Sequence, residues 1–294
     1  MQIRRTTPFE VLTTALVVAG CGSPTDTVEA PPEGAQEVAP AAVVLPPSEE
    51  TAAERLNNSP RHGEWVDIDL PGSDVPISAW VVYPEREGPA PVVLVIHEIF
   101  GLTDWIRGVA DQLAADGFIA VAPDLLSDMG PDGGGTESLG ARDNVVATIR
   151  SLEPDERTLR LNAVRRYTLS IPSGNGKLGT VGFCWGGGAS FNYAIDQPAL
   201  DAAVVYYGSS PTDDRPYADV TAPVLGLYGG NDERVNATIP DAETGMTGKS
   251  FEAVIYDGAG HGFLRAQERQ DGANLAASEQ AWPRTLEFFR EHLE

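Results

Sequence analysis

The sequence predicts an α/β fold, a mostly parallel central sheet with helices on both faces. Three observations predict it. From about residue 61 to the C-terminus, apolar β-branched runs alternate with stretches of helical spacing. A hairpin-like opening precedes that alternation, with Pro71-Gly72-Ser73-Asp74 as its turn. Several of the runs also lack the polar alternation of a half-exposed strand, as a sheet covered on both faces requires.

Each element follows from its own pattern. Residues 65–70 and 77–83 are the two strands of the opening. Residues 91–97 (PVVLVIH) form a continuous apolar run, the mark of a buried parallel strand. Residues 104–116 have helical spacing, with Ile106, Val109, Ala110, Leu113 and Ala114 on one face. Residues 118–122 are the next strand, and 123–140, containing Gly133-Gly134-Gly135, are a long surface loop. Helices follow over 141–152 and 155–171, then a strand over 178–183 and a helix over 187–196. Strands over 202–207 and 224–228, a helix beginning near Ala237, a strand over 251–256 and a helix over 275–293 complete the chain. In such sheets the chemistry lies at the carboxyl ends of the strands.

The N-terminus reads as an address. Arg4 and Arg5 precede an apolar run over 11–20, too short to span a bilayer but suited to a secretory signal. The run closes on Val18-Ala19-Gly20-Cys21, which resembles a bacterial lipobox; the resemblance implies that Cys21 is lipidated and becomes the mature N-terminus. An exported, lipid-anchored protein is expected, at the periplasmic face or cell surface, or a secreted one if the leader is an ordinary signal. Residues 21–58 carry six prolines between Gly22 and Asn58 and no aromatic side chain, so a disordered acidic tether is expected there. The expected organisation is therefore 1–20 leader, 21–58 tether and 59–294 folded domain, as a monomer.

Composition excludes whole classes of function. The chain has 294 residues with 43 Asp plus Glu against 20 Lys plus Arg, a net charge of -23. Such a surface repels nucleic-acid phosphates and anionic lipid alike, which leaves a lipidated N-terminus as the one expected membrane contact. Two cysteines, Cys21 and Cys184, are too few for a disulfide framework or a cysteine zinc site. His97-Glu98 is not a zinc motif either, because Gly101 stands where the second histidine would be needed. No metal or cofactor is expected.

The chemistry gathers at four positions. Gly182-Phe183-Cys184-Trp185-Gly186 lies where a strand passes into a helix and has the form of a nucleophile elbow, with cysteine in place of serine. A helix N-terminus behind Cys184 favours negative charge on its sulfur. The alternative for Cys184 is a buried structural thiol. Among the four histidines, His62 and His292 fall at the domain ends and His97 precedes the elbow. His261, in Gly258-Ala259-Gly260-His261-Gly262, follows a strand and precedes the last helix, as the base of such a site should. Asp232, after Gly229-Gly230-Asn231, is the favoured acid, with Glu233 as fallback. Glu98 sits at the end of the first parallel strand.

His-Glu-Ile-Phe-Gly from His97, Gly-Phe-Cys-Trp-Gly-Gly from Gly182, Gly-Gly-Asn-Asp from Gly229 and Gly-His-Gly-Phe from Gly260 together resemble the dienelactone hydrolase family of α/β-hydrolases. The resemblance covers roughly residues 63–294. It implies a small-molecule ester or lactone substrate and a triad of Cys184 nucleophile, Asp232 orienter and His261 base. It further implies that Glu98 contacts the resting thiol and takes its proton, that the backbone N–H groups of Ile99 and Trp185 form the oxyanion hole, and that Arg265, with Arg142 as a looser match, binds a substrate carboxylate. Arg265 is thus expected to be a lone carboxylate anchor. Three alternatives stay open at this point: a general carboxylesterase of neutral esters, a binding lipoprotein on an inactive hydrolase scaffold, and a cysteine redox protein. The last is disfavoured by the lack of a Cys-x-x-Cys pair.

Overall fold

The computed structural model describes residues 44–212 and 216–294. The leader, Cys21 and the first part of the expected tether lie outside the described residues. The described chain forms α1 (Ala52–Asn57), β1 (Gly63–Ile68), β2 (Ile77–Val82), β3 (Ala90–Ile96), α2 (Asp104–Ala115) and β4 (Ile119–Pro123). It continues with α3 (Arg142–Ser151), α4 (Pro154–Thr168), β5 (Gly174–Phe183), α5 (Trp185–Asp196), β6 (Ala202–Tyr206) and β7 (Val224–Gly229). Last come α6 (Glu233–Asn236), α7 (Ile239–Gly245), β8 (Phe251–Tyr256) and α8 (Ala273–Leu293).

The strands form one eight-stranded sheet in the order β1-β2-β4-β3-β5-β6-β7-β8. β1 and β2 pair antiparallel, as does β2 with β4, and every other pair is parallel. This is an α/β-hydrolase fold. β3 explains why the sheet needs cover on both faces. Its seven residues are all buried. Val92, Leu94 and Ile96 enter a core shared with α4, α5 and α7, while Val93 and Val95 enter a second core beneath α1, α2 and α8. The period-two alternation of side chains divides one strand between two layers.

Two sequence expectations need correction. The helix expected near Ala237 is two short helices, because Thr238 and Pro240 stop α6 and start α7. The tether expected to run to Asn58 ends earlier, since residues 44–58 lie against the domain. Trp105 Nε1 donates to the Pro47 carbonyl at 2.9 Å, Arg55 donates to the Leu45 carbonyl at 2.7 Å, and Ala52 is buried. Backbone carbonyls and small side chains make these contacts, so a composition averaged over the segment carries no trace of them. No helix among the described residues is long and apolar enough to cross a membrane.

Candidate active site

β5 runs straight into α5, and the turn between them holds Cys184 at φ 55° and ψ -114°, a strained conformation for a residue with a Cβ. Close packing keeps the turn in place. A Cβ on Gly182 would lie 1.9 Å from the Gly186 carbonyl oxygen, and one on Gly186 would lie 2.4 Å from the carbonyl oxygens of Ile96 and His97. The Cys184 N–H donates to the Tyr206 carbonyl at 3.0 Å, which fixes the elbow to β6. Trp185 is the first residue of α5, and helix-start N–H groups have no intrahelical acceptor. One such donor therefore stands beside the sulfur.

The neighbouring strand ends supply the rest. Asp232 follows β7 and caps α6, accepting the Val235 N–H at 3.4 Å. His261 lies in the loop after β8, and its Nδ1 donates to Asp232 Oδ2 at 2.5 Å. Burial lowers the imidazole pKa, but the bond to Asp232 and the influence of Cys184 outweigh it, and the value rises to about 9. The site therefore favours imidazolium, the form that a thiolate needs as its partner.

Glu98, after β3, is 3% exposed. Burial raises its pKa to about 7, against the opposing pull of Arg265 and His261. Its Oε2 lies 2.8 Å from Arg265 Nε, an ion pair whose N–H is not aligned as a hydrogen bond. Glu98 thus faces Arg265, and Arg265 also forms an ion pair with Glu49. Arg142 stacks on the Phe100 ring at 3.4 Å, and Arg265 faces the same ring at 5.5 Å, so the two nominated arginines do meet at one aromatic side chain.

Several neighbours were given no role by the sequence. His97 is fully buried; its Nε2 accepts the Leu125 N–H at 3.2 Å, so its Nδ1 carries the proton and donates to the Glu98 carbonyl at 2.8 Å. That carbonyl shares a peptide plane with the Ile99 N–H, so His97 orients the donor expected in the oxyanion hole. Tyr207, at φ 39°, lays its buried ring 5.3 Å from that of His261, and its hydroxyl has no hydrogen-bond partner among the described residues. A cleft of about 780 Å³ opens over Cys184 and is lined by Ile99 and Trp185 as well as Arg150, Arg157 and Arg234. Among the described residues its lining includes no carboxylate. These arginines come from three different helices, and nothing in their local sequence marks them.

Residues 77–293 match the family model of the dienelactone hydrolase family. A protein of Methylorubrum extorquens named "Putative carboxymethylenebutenolidase" is 33% identical over 253 residues, 77% of this chain and 80% of that one. An Escherichia coli K12 protein of the same name is 32% identical over 246 residues, 78% of this chain and 86% of its own. Among solved structures, the "Putative Dienelactone Hydrolase" of Klebsiella pneumoniae superposes with a TM-score of 0.68 at 27% identity, over 78% of this chain and 98% of that one.

Proposed function

The chain belongs to the dienelactone hydrolase family and is a hydrolase of that type, and on this premise we propose that it cleaves small esters or lactones with Cys184 as nucleophile. The observation that carries the proposal is Cys184 in its elbow, lining a cleft of small-molecule size, with His261 held at 2.5 Å by Asp232 and its charged form favoured by Cys184.

The chemistry follows from that geometry. The Cys184 thiol gives its proton to the His261 nitrogen not engaged by Asp232, and the thiolate attacks the carbonyl carbon. The Ile99 and Trp185 N–H groups receive the oxyanion. Collapse breaks the bond to the alcohol oxygen, which takes the proton back from His261 and leaves an acyl thioester on Cys184. His261 then removes a proton from water, the hydroxide displaces the thiolate, and the acid is released. Glu98 contributes charge. Once ionised, it favours imidazolium at His261 and with it the thiolate.

Cys184→Ala should abolish turnover of 4-nitrophenyl butyrate by the purified protein, and iodoacetamide should inactivate the wild type. His261→Ala should be nearly as severe, since such groups act as a unit. Activity that survives both alkylation and Cys184→Ala would overturn the nucleophile assignment. An inactive wild type would leave the binding-lipoprotein alternative.

We also propose export with lipidation at Cys21, supported by Arg4-Arg5, the apolar run and Val18-Ala19-Gly20-Cys21. Cys21→Ser should move the protein from the membrane fraction to the soluble one. Unchanged fractionation would refute lipid anchoring.

A further inference from the structure

Arg265 is the residue that the family resemblance nominates as the substrate's carboxylate anchor, yet its guanidinium is already engaged on two sides. Glu98 takes Nε from within at 2.8 Å, and Glu49 takes a terminal nitrogen from without. Glu49 lies upstream of residue 77, where the family match begins. It is carried by an ordered segment fixed at several independent points. The Glu49 N–H donates to the Arg265 carbonyl at 2.8 Å, Gln267 donates to the Pro46 carbonyl at 3.1 Å, and Trp105 donates to the Pro47 carbonyl at 2.9 Å. Arg55 closes the far end of the strap by binding the Leu45 carbonyl at 2.7 Å and Gln112 at 2.8 Å.

The domain is shaped to receive the strap. A Cβ on Gly108 of α2 would lie 2.5 Å from Pro47 Cγ, so glycine leaves the space that this proline fills. The fixing matters energetically. Glu49 is half exposed, and a freely rotating surface pair would contribute little. Here the backbone bond to the very residue it neutralises has already placed the carboxylate, so little ordering remains to be done. Arg265 is only 13% exposed, and it is paired with both Glu98 and Glu49.

We propose that Glu49 is a specificity-determining residue, a built-in carboxylate that occupies Arg265 and restricts the site to substrates uncharged at that end. The inference rests on the ester or lactone hydrolase reading above and names its substrate class. A substrate carboxylate arriving at Arg265 would have to displace an intramolecular one, beside the buried carboxyl of Glu98.

The test compares 4-nitrophenyl butyrate with the 4-nitrophenyl monoester of glutarate, using the full chain and its Glu49→Ala and Glu49→Gln variants. Freeing one charge-assisted partner should raise the kcat/KM ratio of carboxylated to neutral ester by at least about tenfold in both variants. The gain should vanish in Glu49→Ala/Arg265→Ala. An unchanged ratio in the single variants, or a gain that persists in the double variant, would overturn the proposal. A second measurement needs no turnover. Free glutarate should protect Cys184 from iodoacetamide, followed by peptide mass spectrometry, at a concentration at least about tenfold lower in Glu49→Ala than in the wild type. If the wild type hydrolyses neither ester, the hydrolase reading fails, and the protection assay still decides the role of Glu49: equal protection in both proteins refutes it.

Discussion

Glu98 and His97 are adjacent, yet burial acts on them in opposite chemical senses. Burial disfavours charge in both, raising the Glu98 pKa to about 7 and lowering that of His97. Activity should therefore rise with pH through about 7 as Glu98 ionises and favours the imidazolium, and Glu98→Gln should remove that limb from the kcat/KM profile. Stability should show the opposite sign. A carboxyl raised from 4.5 to about 7 holds more protons folded than unfolded, so its burial costs stability increasingly as pH rises across that window. Denaturant titrations of Glu98→Gln and wild type should diverge there, with the variant losing less. For His97, replacement by Phe strands the buried Leu125 N–H and releases the Glu98 carbonyl. We expect a stability loss of ~1–3 kcal/mol and a kcat at least about tenfold lower, with KM for a small ester little changed. Wild-type kcat in a folded His97→Phe protein would remove His97 from the orientation of the Ile99 peptide.

At the scale of elements, the elbow between β5 and α5 is the least tolerant part of the fold. Gly186 packs against the carbonyl oxygens of Ile96 and His97 at the end of β3, a central strand bound to its neighbours on both edges. Backbone in that position cannot yield cheaply. Gly186→Ala should therefore cost ~3 kcal/mol or more in urea unfolding, or fail to accumulate as folded protein. Gly176 has a positive φ of 84° but open space around its Cβ position, so Gly176→Ala should cost only ~1–2 kcal/mol. Equal costs at the two sites would mean that backbone conformation, rather than the contact with β3, limits the elbow.

The whole molecule carries a net charge of -23, and its described ion pairs are mostly half exposed. Such pairs add little, while like-charge repulsion acts over the entire surface at low salt. Raising NaCl from ~0.01 to ~0.5 M shortens the screening length from about 30 Å to a few ångströms. The Tm should rise by several degrees, where ~1 kcal/mol corresponds to about 2–4 °C for a domain of this size. A flat or falling Tm would mean that attractive pairs outweigh the repulsion.

The sequence by itself determined the alternation of strands and helices, the elbow around Cys184, and the order in which Asp232 and His261 follow it. These are local facts, because a period of two or 3.6 residues and a glycine beside a nucleophile are constraints within a few positions of the chain. It also supplied Glu98, through its place at the end of the first parallel strand. The tertiary structure alone decided what those groups touch. Glu98 faces Arg265 because β3 and the loop after β8 end at the same edge of the sheet, and Arg150, Arg157 and Arg234 converge because three helices border one cleft. The ordered stretch from Leu45 to Asn58 was illegible for the same reason. Its composition is that of a tether, and its order comes from partners 57 to more than 200 residues away, such as Trp105, Gln112 and Arg265. Contacts at that separation depend on where the fold brings the chain back, which no local pattern records.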